Sequence, residues 1–374
     1  MEYFQTEMAT IPIMLQMTRR GIKIDQVERA RLEAILIQDV ENLRSMCDEM
    51  EGFLPSSPQQ VAYILAKRGA YSVFLRLPFT RNKFGRSTGQ LSTAEEVLEK
   101  MDDPLAQIVL DYRRRAKLLS TYILPWTNEE RATTRYHLDA ITGRPSSKDR
   151  DMQNLPGRRS RQGINTRAML LPDSGVWTDI DFSQLELRIL AYLSQDREML
   201  HIYESGGDIH QITADFLGVA RNICKSVNFA MVYGGSDQTL METAHIRDIR
   251  LAHNLTTMWG KLFPQAWDWI QSAKEASHHS NKVRTVFGRE MRLPDEEDDS
   301  LDGIERKAVN YPIQGSAADI LKRSLILCKD MDIALQVHDE LLIDGLVEPW
   351  KFDGMRRIAP FETPTEMRYL ERWE

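Results

Sequence analysis

Three short stretches of this 374-residue chain carry side chains whose types and spacing could do chemistry on phosphate. The first is Asp179-Ile-Asp-Phe-Ser-Gln-Leu-Glu-Leu-Arg188, where Asp181 stands at the change from strand-forming residues to a helical pattern. A carboxylate at such a corner can project into a cleft and hold a hard cation such as Mg²⁺, leaving coordination positions for phosphate oxygens. The second is His338-Asp-Glu340, which interrupts two apolar runs. Acids clustered at a bend between buried strands are costly unless water, a cation or a base compensates them. Two carboxylates from distant segments converging on a pair of cations would fit the two-metal arrangement for in-line phosphoryl chemistry. The third is Arg221, Lys225, Phe229 and Tyr233, which recur every four residues. At about 100° per residue they drift only about 40° per step and share roughly one third of a helix circumference. Arg offers phosphate a fork and Lys a point charge, while an aromatic ring offers any base a stacking surface. Each stretch also has a blander reading: a strand-end turn former or cap, a solvated turn, a basic face running into a buried aromatic one. The sequence alone leaves their convergence open.

The elements that must position these residues follow from periodicity. Val176, Trp177, Ile180 and Phe182 form a strand, and Leu185, Leu187, Ile189, Leu190 and Leu193 a helix behind it. Ile333, Ala334, Leu335 and Val337 pair with Leu341, Leu342 and Ile343 as a hairpin with its polar residues at the tip. Gly234 and Gly235 end the helix that carries Arg221. Arg306, Asn310 and Gln314 form another four-residue series on one helix face, and Asn and Gln donors suit the minor-groove acceptors present on every base pair.

Composition bounds the partners. With 48 basic and 55 acidic residues the formal charge is −7, which argues against indiscriminate nucleic-acid binding. Local basic surface must then make any DNA contact, and seven basic residues against two acids between Arg144 and Arg167 form the clearest candidate. Cys47, Cys224 and Cys328 are isolated and odd in number, which reads as a reduced, cytoplasmic protein. No apolar run reaches the roughly 18 residues of a membrane span, and no signal-peptide pattern opens the chain.

Further along the chain, the strand-like Ile22-Lys-Ile24 precedes a long helix whose Leu32, Ile35, Leu36, Val40 and Leu43 are expected in the core. Ser57-Pro-Gln-Gln60 and Ser92-Thr-Ala-Glu95 read as capping boxes. Arg81 to Gly89 reads as a mobile basic loop, and Arg113, Arg114, Arg115 and Lys117 as helical side chains that either track a nucleic-acid backbone or serve the structure. Trp259, Trp267 and Trp269 are expected to pack rather than to stack on bases, and the acidic run Asp295 to Asp299 to form a solvated loop.

Together these stretches resemble the family A DNA polymerases, the DNA polymerase I type. Asp181-Phe-Ser-Gln-Leu-Glu-Leu-Arg188 is similar to that family's first palm motif, Arg221 to Gly234 to its fingers helix, and Gln336-Val-His-Asp-Glu340 to its last palm motif. Thr142-Gly-Arg-Pro-Ser-Ser147, Met152-Gln-Asn-Leu-Pro156, Asp208-Ile-His210 and Asn310-Tyr-Pro-Ile-Gln-Gly-Ser-Ala-Ala-Asp319 extend the likeness over nearly the whole chain in the family's order. The Ile358-Ala-Pro-Phe-Glu-Thr-Pro364 wording resembles phage-encoded members, which implies a bacterial cell or a phage-infected host.

The resemblance implies an α/β (α+β type) right-hand fold with an antiparallel-sheet palm and helical fingers and thumb. Residues 1–133 would be the lead-in and thumb, 134–195 the first part of the palm, 196–304 the fingers and 305–374 the second part of the palm. It implies a DNA-templated DNA polymerase that adds deoxynucleotides to a primer 3′-hydroxyl by two-metal-ion nucleotidyl transfer. Asp181 and Asp339, with the Phe182 carbonyl, would hold two Mg²⁺ ions, for which Mn²⁺ substitutes, and Glu340 would be secondary. Arg158, His210, Arg221 and Lys225 would hold the triphosphate, with Lys225 also protonating the leaving pyrophosphate. Gln184, Glu186, Phe229 and Tyr233 would complete the nucleotide site, with Glu186 as the gate against a ribose 2′-hydroxyl. Arg144, Gln153, Asn154, Arg306, Asn310, Gln314 and His338 would contact DNA. The family has Asn-Leu-Gln-Asn where this chain has Asp151-Met-Gln-Asn154, so an acid replaces a donor and Asp151 is assigned no DNA contact. Primer–template DNA and deoxynucleoside triphosphates are the expected partners of a monomer without a membrane. The family's proofreading domain would end where this chain starts, so no 3′-to-5′ exonuclease is expected in it. The rivals are a single-subunit RNA polymerase, against which Glu186 argues, a catalytically silent DNA-binding module, and a two-metal nuclease, which would have no use for a triphosphate helix.

Overall fold

The computed structural model describes residues 2–70, 79–81, 87–157, 163–244, 246 and 248–373. The chain forms two compact units, one of residues 1–20, 134–149 and 176–370, the other of residues 21–133, 150–175 and 371–374. These units cut across the four expected segments. Residues 1–20 fold with the first unit because the Glu2–Arg20 helix packs on the Leu301–Leu327 helix, and residues 150–175 fold with the second because Leu170–Leu171 pairs with Ile22–Ile24.

The first unit is built on a four-stranded antiparallel sheet in the order Ile333–Val337, Glu340–Asp344, Trp177–Phe182, Thr365–Leu370. The first three strands are buried almost throughout, which is why their sequences read as apolar runs rather than as alternation. The edge strand Thr365–Leu370 is largely exposed. His338 and Asp339 make the two-residue hairpin tip expected from sequence, and His338 adopts the left-handed conformation (φ 52°) that such a turn requires. The strand carrying Asp181 ends at Phe182, and the Leu185–Ser194 helix starts after two residues, burying Leu185, Leu187, Ile189 and Leu190.

Among the described residues, six helices between Arg197 and Ser277 pack around Trp259, Phe263 and Leu255. Asp196, fully buried, organises them from one carboxylate: Oδ1 accepts from the Met199 amide at 3.0 Å, and Oδ2 accepts from the Gln265 and Ala266 amides at 3.0 and 3.1 Å. One side chain therefore caps two helix N-termini, where backbone N–H groups lack partners and the dipole favours negative charge. Trp259 is fully buried and Trp267 and Trp269 pack against the same core. Residues Asp295 to Asp299 lie in a loop and turn, where Asp299 accepts from Lys307 at 2.7 Å.

A buried ionic network ties the first helix to this unit. Lys322, with no exposed side-chain surface, donates to Glu7 at 2.5 Å, and Arg289 donates to Asp319 at 2.6 Å and also reaches Glu7. Hydrogen bonds from Lys322 and Arg289 hold the Glu7 pKa below the ordinary value against the opposing effect of burial, while burial lowers that of Lys322.

The second unit packs the Gln26–Glu51, Pro58–Lys67 and Pro104–Lys117 helices around Phe53, Val61, Leu65, Leu98, Leu105 and Val109. A three-stranded sheet places Ile22–Ile24 between Arg131–Ala132 and Leu170–Leu171. Several expectations change here. Ile35 is 39% exposed, because at about 100° per residue it falls well outside the face shared by Leu32, Leu36 and Cys47. Ser57 caps its helix by accepting from the Gln60 amide, but Gln60 in turn accepts from Leu54, so the box is not reciprocal. Ser92 is not an N-cap: its hydroxyl accepts from the Ala94 amide, and Ala94 stands at the cap of the Glu95–Leu98 helix. The ends of the expected loop at Arg81 to Gly89 pair as a hairpin, Arg81 opposite Ser87, while residues 82–86 lie outside the described residues.

The basic helix residues are held within this unit. Arg113 donates to the Thr93 and Pro55 carbonyls, Arg114 pairs with Glu95 and Glu99, and Arg115 pairs with Asp39. Cys47, Cys224 and Cys328 are free and buried, and burial pushes the Cys224 thiol up to about 11 and that of Cys328 up to about 12. Among the described residues no helix is long and apolar enough to cross a membrane.

Candidate active site

The antiparallel register brings the two acidic stretches together. Glu340 lies opposite Asp181 across the sheet, and the Phe182 amide donates to the Asp339 carbonyl at 3.2 Å, which fixes the hairpin tip against the end of the Asp181 strand. Burial pushes the Asp181 carboxyl up to about 7, helped by the negative charges of Asp339 and Asp179 and opposed by Arg368. Burial likewise raises Asp339, against the pull of its own backbone amide, Arg144, His338 and Lys225. Asp179 was not singled out from sequence. It is buried, pairs with Arg368, and leaves Oδ1 without a partner among the described residues.

Desolvated, mutually repelling carboxylates are the donor set that a hard divalent cation relieves, so Asp181 and Asp339 fit such an ion. Among the described residues no group of three or more His, Cys, Asp and Glu side chains could enclose one. Coordination by the two carboxylates would leave the other positions to water and substrate oxygens.

A cavity of about 370 Å³ adjoins the hairpin tip, lined by Arg144, Gln184, Glu186, Phe229, Tyr233, Gln314, His338 and Asp339 among others. Five separated stretches of sequence thus contribute to one space. Tyr233 donates from its hydroxyl to Glu186 at 2.9 Å, which sets the position of the carboxylate. Burial raises the Glu186 pKa, and the Tyr233 hydrogen bond and Arg144 oppose that shift. Burial and the neighbouring Glu186 charge raise the Tyr233 phenol. Gln184 sits in a left-handed conformation (φ 55°, ψ 40°) and accepts from the Tyr203 hydroxyl at 3.3 Å. Gly234 has φ +63°, and a Cβ there would come within 2.9 Å of the Val309 side chain, so the residue is needed both for the turn and for close packing.

The Arg221–Val232 helix presents the expected series. Arg221 and Lys225 are exposed, the Phe229 and Tyr233 rings stack at 6.3 Å between centroids, and the Lys225 ammonium lies 5.9 Å from the Phe229 ring. Arg221 pairs with Asp208 at 2.8 Å, while Asp208 also caps the Ile209–Leu217 helix by accepting from the His210 and Gln211 amides. His210 lies on this third helix after the Asp181 strand, behind the Leu185–Ser194 and Arg197–Glu204 helices.

The His210 ring protonation follows from its neighbours. Trp259 Nε1, a donor only, reaches Asn228 Oδ1 at 2.8 Å, which orients the amide so that Nδ2 faces His210 Nδ1 at 2.9 Å. The imidazole nitrogen must then accept, so the proton resides on Nε2. Burial lowers the His210 pKa, and Arg221 and Lys225 add to the effect against Asp208. His210 is therefore a neutral ring with an Nε2–H donor. Asn228 and Trp259 were missed as functional candidates because neither carries charge and both lie among core residues.

Arg306, Asn310 and Gln314 occupy successive turns of the Leu301–Leu327 helix; Arg306 pairs with Asp302 at 3.2 Å, and Asn310 Nδ2 is buried without a partner among the described residues. Gln153 and Asn154 form a short helical turn in the second unit, where Asn154 donates to Asp151 at 2.6 Å. Arg158 lies outside the described residues, as do Arg159 and Arg161. Of the remaining basic stretch, Lys148 pairs with Asp139, Arg150 pairs with Glu129, and Arg167 stacks 4.1 Å over Trp373.

Comparison with known proteins gives a consistent picture. The family model described as DNA polymerase family A matches residues 27–352. DNA polymerase I of Caldicellulosiruptor bescii is 32% identical over 92% of this chain and 43% of its own length, and the thermostable DNA polymerase I of Thermus aquaticus is 30% identical over 96% and 45%. The chain thus spans less than half the length of these relatives. Among solved structures, the POL domain of Pol1 from M. smegmatis, in complex with DNA primer-template and dNTP, matches 98% of this chain and 70% of its own with a TM-score of 0.83 at 25% identity.

Proposed function

Because the chain belongs to DNA polymerase family A, we propose that it extends a DNA primer with deoxynucleotides selected by a DNA template. The observation that carries this reading is the cavity at the hairpin tip, where Asp339, Glu186, Tyr233, Phe229 and Gln314 meet from separate segments. In this reading Arg221 exchanges its partner Asp208 for triphosphate oxygens, Lys225 supplies a second cation, and His210 donates its Nε2–H to a phosphate oxygen. Phe229 and Tyr233 offer the stacking surface for the base. Glu186, held by Tyr233, fills the space that a ribose 2′-hydroxyl would need.

Asp181 and Asp339, assisted by the Phe182 carbonyl, would hold two Mg²⁺ or Mn²⁺ ions, whose charge when bound makes the primer 3′-hydroxyl more acidic and stabilises the phosphoryl transition state. Glu340 adds negative charge beside Asp181. Lys225 donates a proton to the departing pyrophosphate. The Asn310 amide, unpartnered among the described residues, and Gln314 reach minor-groove acceptors, with Arg144, Arg306 and His338 beside the primer–template and Gln153, Asn154 and Arg158 as further contacts. Closure of the Arg221–Val232 helix over the nucleotide would exclude water before chemistry.

Primer extension with Mg²⁺ on a primed DNA template, offering deoxy- or ribonucleotides, tests the proposal. Template-dependent deoxynucleotide addition that is lost in Asp181→Asn supports it. Ribonucleotide preference would favour an RNA polymerase, and duplex binding without extension a silent module.

A further inference from the structure

Outside the candidate active site, a cavity of about 450 Å³ opens between the Leu185–Ser194 helix, the Arg197–Glu204 helix and the Pro360–Glu362 segment. Arg188 lies at its wall. Its Nε donates to the Ser183 carbonyl at 3.0 Å and its guanidinium stacks 4.1 Å over the Tyr203 ring, which together hold the fork in place. Nη1 and Nη2 have no hydrogen-bond or ion-pair partner among the described residues. Burial lowers the Arg188 pKa against the opposing effects of Tyr203 and Glu362, and the fork atoms Nη1 and Nη2 remain without hydrogen-bond partners among the described residues. Opposite chemistry lines the same space. Glu204 has no ion pair among the described residues, and Glu362 pairs with the exposed Arg356 at 3.8 Å while its charge also acts on Arg188 across the cavity. Tyr192 and Phe361 add aromatic surface, their ring centroids 5.0 Å apart.

A ligand that satisfies all of these groups is flat, has two adjacent acceptors for the Arg fork, and has N–H donors for a carboxylate. Guanine combines these features: O6 and N7 accept a bidentate Arg, and its Watson–Crick edge presents N1–H and the N2 amino group. Adenine places an amino donor beside N7 and would repel the fork, and cytosine, whose N3 and O2 are adjacent acceptors, has only its N4 amino group to offer the two carboxylates where guanine has both N1–H and the N2 amino group. Phosphate is not part of the recognised group, because the lining carries two acids against one cation. We propose that this cavity is a guanine-binding site, distinct from the polymerase site and not dependent on the polymerase reading. The base could come from a free guanosine nucleotide or from an unpaired guanine in single-stranded DNA. Tyr203, which forms one wall, also donates to Gln184 of the first cavity.

Equilibrium dialysis of the whole chain with guanosine, adenosine and cytidine tests the proposal, since a nucleoside has no phosphate for Arg221 and Lys225. Guanosine should bind at least tenfold tighter than the other two. Arg188→Lys keeps the charge but removes the fork and should weaken guanosine at least tenfold; the exposed Glu362→Gln should weaken it several-fold while primer extension persists. Lys225→Ala should leave guanosine binding unchanged. Equal affinity for the three nucleosides, or guanosine binding indifferent to both Arg188→Lys and Glu362→Gln, would overturn the proposal. Competition then separates the sources: displacement of guanosine by dGMP supports a free nucleotide, displacement by an oligo-dG strand but not oligo-dA supports a strand guanine, and displacement by neither contradicts the assignment. A chain without polymerase activity that still binds guanosine selectively would refute only the polymerase reading.

Discussion

Replacing Asn228 by Asp exchanges one amide nitrogen for oxygen at nearly constant volume, and its effect on His210 can be worked out in advance. The carboxylate still accepts from Trp259 Nε1, which lies 2.8 Å from Asn228 Oδ1. Toward His210 it no longer donates, so at 2.9 Å the ring must place a proton on Nδ1. With a neutral ring the variant buries an uncompensated charge at a fully buried position, at a cost of about 3–5 kcal/mol. Protonation of the ring to imidazolium restores a charge-assisted hydrogen bond worth about 1.5–3 kcal/mol.

The pH dependences are therefore opposite in sign. In the native protein the His210 pKa is lowered below its ordinary 6.5, so its contribution to stability is present above that value and falls as acid forces the buried ring to charge. In Asn228→Asp the folded pKa is raised, so the contribution is present below the unfolded value and is lost as pH rises through the folded one. Thermal melts at pH 8 and pH 5.5 should show the deficit of the variant shrinking on acidification. Imidazole ¹⁵N shifts should place the native proton on Nε2 and the variant proton on Nδ1. A native ring protonated on Nδ1, or a deficit that does not shrink with acid, would refute the argument.

The Glu7→Gln substitution should cost about 3–5 kcal/mol in urea unfolding, because fully buried Lys322 loses its anion at 2.5 Å. It should also flatten the acid limb, since Glu7, with its pKa lowered from 4.5, stabilises the native chain above that value and ceases to as pH falls through the folded one. A cost below about 1 kcal/mol would show that Lys322 is satisfied without it. Phe229→Tyr should raise dideoxynucleotide termination, as the family resemblance implies for a Phe at this position; an unchanged termination ratio would sink that assignment. Glu186→Ala should raise ribonucleotide use, with a smaller rise in Tyr233→Phe, which loses only the 2.9 Å hydrogen bond that positions the carboxylate. Equal discrimination in all three proteins would dismiss the gate.

Much of the site was legible because its signals are local. The change of period behind Asp181 and the break at His338-Asp-Glu340 are set by strands buried on both faces, and four-residue spacing alone aligns Arg221, Lys225, Phe229 and Tyr233. Convergence was not legible, because it depends on cross-strand register, Glu340 opposite Asp181, between segments far apart in sequence. The Glu2–Arg20 helix escaped notice because it runs through Pro12 and leaves Phe4, Met8 and Leu15 exposed, so no single apolar face marks it. Charge alone did not decide between roles. For Arg113, Arg114 and Arg115 the sequence leaves a backbone-tracking and a structural role open, because their partners Thr93, Glu95, Glu99 and Asp39 lie outside any local window. The same holds for Lys322 and Glu7, and for the Asn228 and Trp259 pair that sets the His210 tautomer.

The central claim is that the Asp339 cavity selects a deoxynucleotide against a template base. Single-nucleotide addition to one primer, on four templates that differ only in the first unpaired base, measures this directly with Mg²⁺ present. The account predicts that the complementary deoxynucleotide is added on each template and that Asp339→Asn abolishes addition on all four. Addition that ignores the template base, or that survives in Asp339→Asn, would contradict it.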